Sequence, residues 1–160
     1  MTRFKRLRDE GLAWLLGDAE LALLVRLVGQ LDEVLDGPTD DPVVERLFPV
    51  AIEGDDEADA DLRSLLAGDL LLSRHEACAA VQQALARAEP ARRGARRVVL
   101  REDEPDLVLQ VLNDVRLALG ARIGMDVVAD RDLVEDEGTL AALASMDLLA
   151  WFQEQLIEHL

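Results

Sequence analysis

The sequence predicts a mainly α protein of the α+β kind, a helical bundle of about five to seven helices with a small antiparallel sheet. That sheet is expected from an N-terminal hairpin and a strand near residues 97–101. Three observations carry this. Half of the 160 residues are hydrophobic but only 3% are aromatic, with no Tyr, so Leu, Val and Ala must build the core, which favours packed helices. Apolar residues recur at helical spacing in several segments punctuated by Gly and Pro. Short β-type runs stand at the N-terminus and again at Val98, Val99 and Leu100. A chain of this length is expected to be one domain, 1–160, large enough to bury a core without disulfides or metal.

Residues 3–16 read as two segments around Asp9-Glu10-Gly11, with Phe4 and Leu7 before the turn and Leu12, Trp14 and Leu16 after it. After the Gly17 break, Asp18 is the expected cap of a helix running to about Asp36, with Leu21, Leu24, Val25, Val28, Leu31 and Leu35 on its apolar stripe. Gly37-Pro38 ends it. Asp41-Pro42 opens a short helix through Leu47, and Phe48 is an expected core anchor. The acidic run from Glu53 to Asp61 lacks the central Gly and the spaced Glu of a calcium loop and reads as the acidic first turn of a helix. From Glu57 to about Ala88, Leu62, Leu65, Leu66, Leu70, Cys78, Val81 and Leu85 predict one kinked helix or two, with a possible break at Gly68.

Arg92, Arg93, Arg96, Arg97 and Arg101 crowd a segment opened by Pro90 and broken by Gly94. If the run that follows joins the hairpin as a third strand, Arg3, Lys5, Arg6 and Arg8 come beside Arg92, Arg93, Arg96 and Arg97. One basic patch then forms on an acidic protein, and it is the expected partner-binding surface. The rival reading of these arginines is a solvated linker.

A helix capped by Asp103 or Glu104 starts at Pro105 and ends between Gly120 and Gly124. Val108, Val111, Leu112, Val115 and Leu119 form one stripe, and Leu107, Leu109, Leu117 and Ala118 spread apolar character around the rest, so the helix should be buried. Asn113, Asp114, Arg116 and Arg122 interrupt it and must find partners, which predicts a structural polar clamp. Arg116 is expected to meet Asp147 or Glu154 of the final helix, and breaking such a buried pair costs about 3–5 kcal/mol. Residues 126–138 read as an acidic loop. The last helix, about Leu140 to His159, carries Leu143, Met146, Leu149, Trp151, Phe152, Leu156 and Ile157; Trp151 and Phe152 are expected as core or dimer anchors.

Seventeen basic against thirty-three acidic residues give a net charge of -16, which disfavours long-range attraction to nucleic acid. Lys5 is the only lysine. The one cysteine, Cys78, rules out an intramolecular disulfide and a Cys-Cys metal pair, and no apolar run reaches the length of a membrane span, so a cytoplasmic protein without membrane contact is expected. There is no Gly-rich phosphate loop, nucleophile elbow, zinc-ligand set or triad signature, and only two histidines are present. No catalytic residue, cofactor or metal is expected, and the protein is not expected to be an enzyme. His75 and Cys78 share a helix face but make a poor transition-metal pair on their own; they read as a surface histidine beside a buried cysteine.

The run Asn113-Asp114, then Arg116-Leu117-Ala118-Leu119-Gly120, then Arg122 and Gly124 is joined by Trp151, Gln153-Glu154 and Leu156 near the end. Asp41-Pro42, Arg46-Leu47 and Phe48-Pro49 precede an acidic step into the next helix. In these residues, across nearly its whole length, the chain resembles an actinobacterial family, first described as a domain of unknown function, that includes the oxidative-stress regulators of the AosR type. The resemblance implies a non-enzymatic cytoplasmic transcriptional regulator that acts through protein contacts with the transcription machinery and forms a homodimer. Redox-sensing members are expected to use a Cys-x-x-x-Cys pair near the N-terminus, where this chain has Arg and Lys. With Cys78 alone, switching thiols within one chain is chemically impossible. Two rival functions remain: direct nucleic-acid binding through the arginine patch, and small-anion binding with Arg116 and Arg122 as the clamp.

Overall fold

The computed structural model describes residues 3–37, 42–47, 56–124 and 137–160, with backbone alone at 42, 45, 46 and 56–69. In chain order these are β1 (Phe4–Arg6), β2 (Leu12–Leu16), α1 (Asp18–Asp36), α2 (Pro42–Leu47), α3 (Asp56–Ala86), β3 (Glu89–Pro90), a 3-10 turn at Arg92–Gly94, β4 (Arg96–Leu100), α4 (Glu104–Ile123) and α5 (Glu137–Ile157). The expected anchor Phe48, the acidic run at 53–55 and the loop at 125–136 lie outside the described residues. Among the described residues no helix is long and apolar enough to cross a membrane.

The mainly helical plan with a small antiparallel sheet is what forms, with two differences. Among the described residues there are four long helices, with α2 a further six-residue one, where a bundle of about five to seven was expected, because residues 56–86 form one uninterrupted helix across Gly68. The sheet has four strands in the order β1-β2-β4-β3. The strand at Arg96–Leu100 pairs with β2 as anticipated, while β3 is a two-residue strand with no periodicity long enough to read.

Side chains alternate across the strands, so the register decides which residues reach the core. Phe4 pairs with Trp14 and Trp14 with Val98; Leu12 pairs with Leu100. All five are buried, together with Leu16, and face the helices. The Phe4 and Trp14 rings stack at 5.4 Å, and Trp14 meets Phe152 of α5 edge-on at 5.3 Å. Phe152 is fully buried, a core anchor. The described aromatic residues thus concentrate where the sheet meets α5, burying large areas in favourable ring geometries. The hairpin turn places Glu10, not Gly11, at positive φ (67°), and Leu7 N–H donates to Gly11 O at 2.8 Å.

α4 is the central helix, packed on α5, α3, α2 and α1, and Val108, Val111, Leu112 and Val115 form its buried stripe. Gly124 closes it at φ 64°, the left-handed conformation that glycine adopts without steric cost. At α1 the cap differs from expectation. Gly17 is the N-cap and Asp18 is the first helical residue, while the carboxylate of Glu20 reaches back to accept the Gly17 N–H at 2.8 Å. Leu70, placed on the apolar stripe of α3, is 44% exposed.

Candidate functional site

The eight cations expected in one patch divide according to strand parity. Odd positions on β1, β2 and β4 point away from the helices: Lys5 lies opposite Ala13, Ala13 opposite Val99, and Leu15 opposite Arg97. Arg3 extends this outer face beside Leu15, whose N–H donates to Arg3 O at 2.8 Å. Even positions follow the core face. Arg6 therefore turns to the C-terminus and donates to His159 O, and Arg96 leaves the sheet to pair with Asp18 at 2.8 Å. Arg8 sits in the hairpin loop and is exposed.

The β3–β4 connection brings the remaining two arginines to the outer face. Ala91 N–H donates to Ala95 O at 2.7 Å, and Arg93 and Gly94 take φ values of 58° and 73° in a tight left-handed turn. Between this turn and the outer sheet face runs an open groove of about 960 Å³, with Leu7, Ala13, Leu15 and Pro90 among its apolar residues and Arg3, Lys5, Arg92, Arg93 and Arg97 as its cations.

These cations are not equivalent. Arg3 is held by Glu20 through two hydrogen bonds of 2.8 and 3.0 Å, and its guanidinium lies 5.6 Å from the Trp151 ring centroid. Glu20 thereby caps α1 and fixes Arg3 at once. Arg97 meets Glu89 at 3.4 Å. Lys5, Arg92 and Arg93 are exposed and have no carboxylate partner among the described residues. A smaller hollow of about 380 Å³ on the neighbouring surface neutralises itself: Arg87 pairs with Glu104 at 2.8 Å and Arg101 with Asp9 at 2.9 Å, which holds the Asp9 carboxyl below its usual range.

Of the residues expected as a polar clamp on α4, Asp114 and Arg116 meet side chains of neighbouring helices. Asp114 is 3% exposed and pairs with Arg74 of α3, a partner the sequence reading did not identify. Burial pushes its carboxyl pKa up, and the Arg74 hydrogen bond and charge pull the other way without reversing the shift. Arg116 is half-buried and donates to Gln153 Oε1 of α5 at 2.7 Å. Its partner is thus a neutral amide and not the expected carboxylate of Asp147 or Glu154. Gln153 lies one position before Glu154 and faces α4, donating also to Leu109 O at 3.5 Å. Asn113 and Arg122 are exposed, so neither is a buried polar group. Trp151 is half-buried, beside Phe152.

One constellation was missed. Asp32 and Asp36, four apart on α1, face His75 of α3, with His75 Nδ1 3.0 Å from Asp32 Oδ1 and Nε2 3.3 Å from Asp36 Oδ1. Their donor atoms all lie within 4.8 Å of one another, so among the described residues these are the ones that could hold a metal ion. The present geometry is instead a clasp between two helices. Each ring nitrogen meets a different carboxylate, and both contacts are hydrogen bonds at once only when the imidazole carries both protons. The i, i+4 spacing of the two aspartates was the available signal. Cys78, one turn along α3, is fully buried, and burial together with Asp32 and Asp114 pushes its thiol up to about 12.

Fold and groove together define a mainly helical α+β protein whose small sheet buries an aromatic face and turns a cation-lined face outward. The whole chain, residues 1–160, matches the family model described as Domain of unknown function (DUF2017), and the chain belongs to that family. Comparison with curated proteins and with solved structures gives no match.

Proposed function

We propose that the chain is a non-enzymatic transcriptional regulator of the AosR type, cytoplasmic, working through contact with a protein of the transcription machinery. The observation that carries this reading is the outer sheet groove: on a chain of net charge -16, Lys5, Arg92 and Arg93 line it with no carboxylate partner among the described residues. Ion pairs elsewhere on the sheet are made within the chain, so exposed cations without one in a groove with an apolar floor suit a complementary acidic protein surface. Oxidant sensing by Cys78 forms no part of the proposal, since a buried, protonated thiol is a poor nucleophile. A homodimer would have to use surface other than Phe152, which the core of its own chain consumes; light scattering on the purified protein distinguishes the two states.

The test is affinity capture by the purified chain from an actinobacterial lysate, beside a Lys5→Glu, Arg92→Glu, Arg93→Glu variant. An identified transcription protein retained by the native chain and lost with the variant is expected. Recovery of no transcription protein, or its equal recovery by both, refutes the reading. Retention of nucleic acid with the steep salt dependence of phosphate contacts would instead establish direct nucleic-acid binding.

A further inference from the structure

We infer that the outer sheet groove takes an extended acidic peptide segment of the pattern acidic-x-apolar-x-x-x-acidic, laid diagonally across the strands; this rests on the reading of the groove as a protein-docking surface. The two ends of the groove carry the cations that have no carboxylate partner among the described residues. Lys5 stands on β1 at one sheet edge, and Arg92 and Arg93 stand on the turn that follows β3 at the other. Across the sheet about 14 Å separates them; along the strands Lys5 is level with Val99 while the turn lies past Arg96 and Pro90, about 15 Å further, so the two ends stand about 20 Å apart on a diagonal that passes Leu15. Between them the exposed face is apolar, with Leu15 half-buried and Ala13 beneath its neighbours at 3% exposure. Arg3 and Arg97, which flank this floor, are already neutralised by Glu20 and Glu89.

A ligand matched to this surface carries two separated negative charges with an apolar group between them. An extended chain rises about 3.4 Å per residue, so side chains six positions apart lie about 20 Å apart. Positions i, i+2 and i+6 point to the same side of an extended chain. Carboxylates at i and i+6 therefore reach Lys5 and the Arg92–Arg93 turn while the side chain at i+2 rests on Leu15. A nucleic-acid backbone fits less well. Duplex DNA carries one charge about every 1.7 Å of axis, and charges beyond the groove would face the acidic body of the protein.

Fluorescence anisotropy of the full chain tests this with a labelled eleven-residue peptide bearing aspartates at its third and ninth positions, leucine at its fifth, and serine or glycine elsewhere. The structure predicts binding that weakens about tenfold when the aspartates stand five apart in place of six, when both become asparagine, or when leucine becomes serine. Lys5→Glu and Arg92→Glu/Arg93→Glu should each weaken it by a similar factor, with circular dichroism unchanged because these side chains are exposed and have no ion-pair partner among the described residues. No binding, indifference to the aspartate spacing, or stronger binding of an oligothymidylate of equal length overturns the inference. The two readings fail separately. Spacing-dependent peptide binding without capture of a transcription protein leaves the motif standing and removes the regulatory role; charge-dependent capture without spacing preference does the reverse.

Discussion

Replacing Asp114 is the sharpest test of what holds the central helix. Asp114 of α4 is 3% exposed and ion-paired with Arg74 of α3, yet its carboxyl pKa is raised by burial despite that partner. Desolvation therefore outweighs what the guanidinium returns, the usual balance for a buried ion pair. Asp114→Leu removes the carboxylate from a guanidinium that is itself largely buried. Losing one half of a buried pair costs about 3–5 kcal/mol, and because the Arg74 side chain keeps 20% exposure the lower end applies, about 3 kcal/mol. For a chain of 160 residues that lowers Tm by about 6–12 °C. Asp114→Asn keeps an acceptor for Arg74 without the charge and should cost less than about 1 kcal/mol. In the double variant Arg74→Met/Asp114→Leu at least half of the loss should return, since apolar groups of similar size replace a buried pair at little cost. Urea unfolding at neutral pH, with m unchanged across the series, measures all three. The pH dependence has a definite sign. The folded carboxyl keeps its proton to higher pH than the unfolded one, so its contribution is full below the unfolded value of 3.8 and declines as pH rises through the folded value. The stability of the native chain relative to the Asn variant should therefore fall as pH rises above 3.8. A Leu variant within about 1 kcal/mol of the native chain, or a double variant that costs the sum of the singles, refutes this account.

Arg116→Met should cost about 1–2 kcal/mol in urea unfolding, below the loss for a broken ion pair, because it strands the neutral Gln153 oxygen and no buried counter-charge; a cost above about 3 kcal/mol would mean a charged partner. Glu20→Ala removes both the Gly17 cap and the bidentate Arg3 contact, and a loss of about 1–2 kcal/mol is expected, with added salt closing part of the gap. Cys78, with its thiol at about 12, should resist iodoacetamide at pH 8 until the chain unfolds; alkylation of the folded protein at the rate of a free peptide thiol would contradict its burial.

Much of the fold was legible because it rests on local periodicity. The stripes of α1 and α4, the hairpin, the strand at Val98–Leu100 and the closing Gly124 all followed from spacing and turn chemistry. What failed depended on tertiary context. β3 has two residues and exists only because β4 lies beside it. Asn113 sits within an apolar helix, yet α4 turns it toward water, and the choice of Gln153 over Glu154 for Arg116 is a matter of one position in the facing of two helices. Arg74 and Asp114, or His75 and the Asp32–Asp36 pair, are tens of residues apart, and beyond the i, i+4 spacing of the two aspartates nothing in the sequence joins them. The basic patch was half legible. Its composition was plain, but assigning Arg6 and Arg96 to it ignored the alternation that sends even positions toward the core side.

That same alternation makes the groove as well determined as the core. Phe4 and Trp14 form one buried pair and Lys5 and Ala13 the next, outward-facing one, so the register that stacks the aromatic rings also fixes where Lys5 stands relative to Leu15 and Arg97. A slip of one residue in β1 would expose Phe4 and bury a lysine, a change opposed by both the lost apolar area and the cost of desolvating an unpaired ammonium. At the other end, the Arg92–Gly94 turn is tied to the sheet through the two Glu89–Pro90 pairings with β4. The separation of the backbone positions that carry Lys5, Arg92 and Arg93 is therefore set by the strands that build the core. A surface whose charge spacing is fixed this way can discriminate between ligands by spacing, which a flexible basic tail of equal charge cannot.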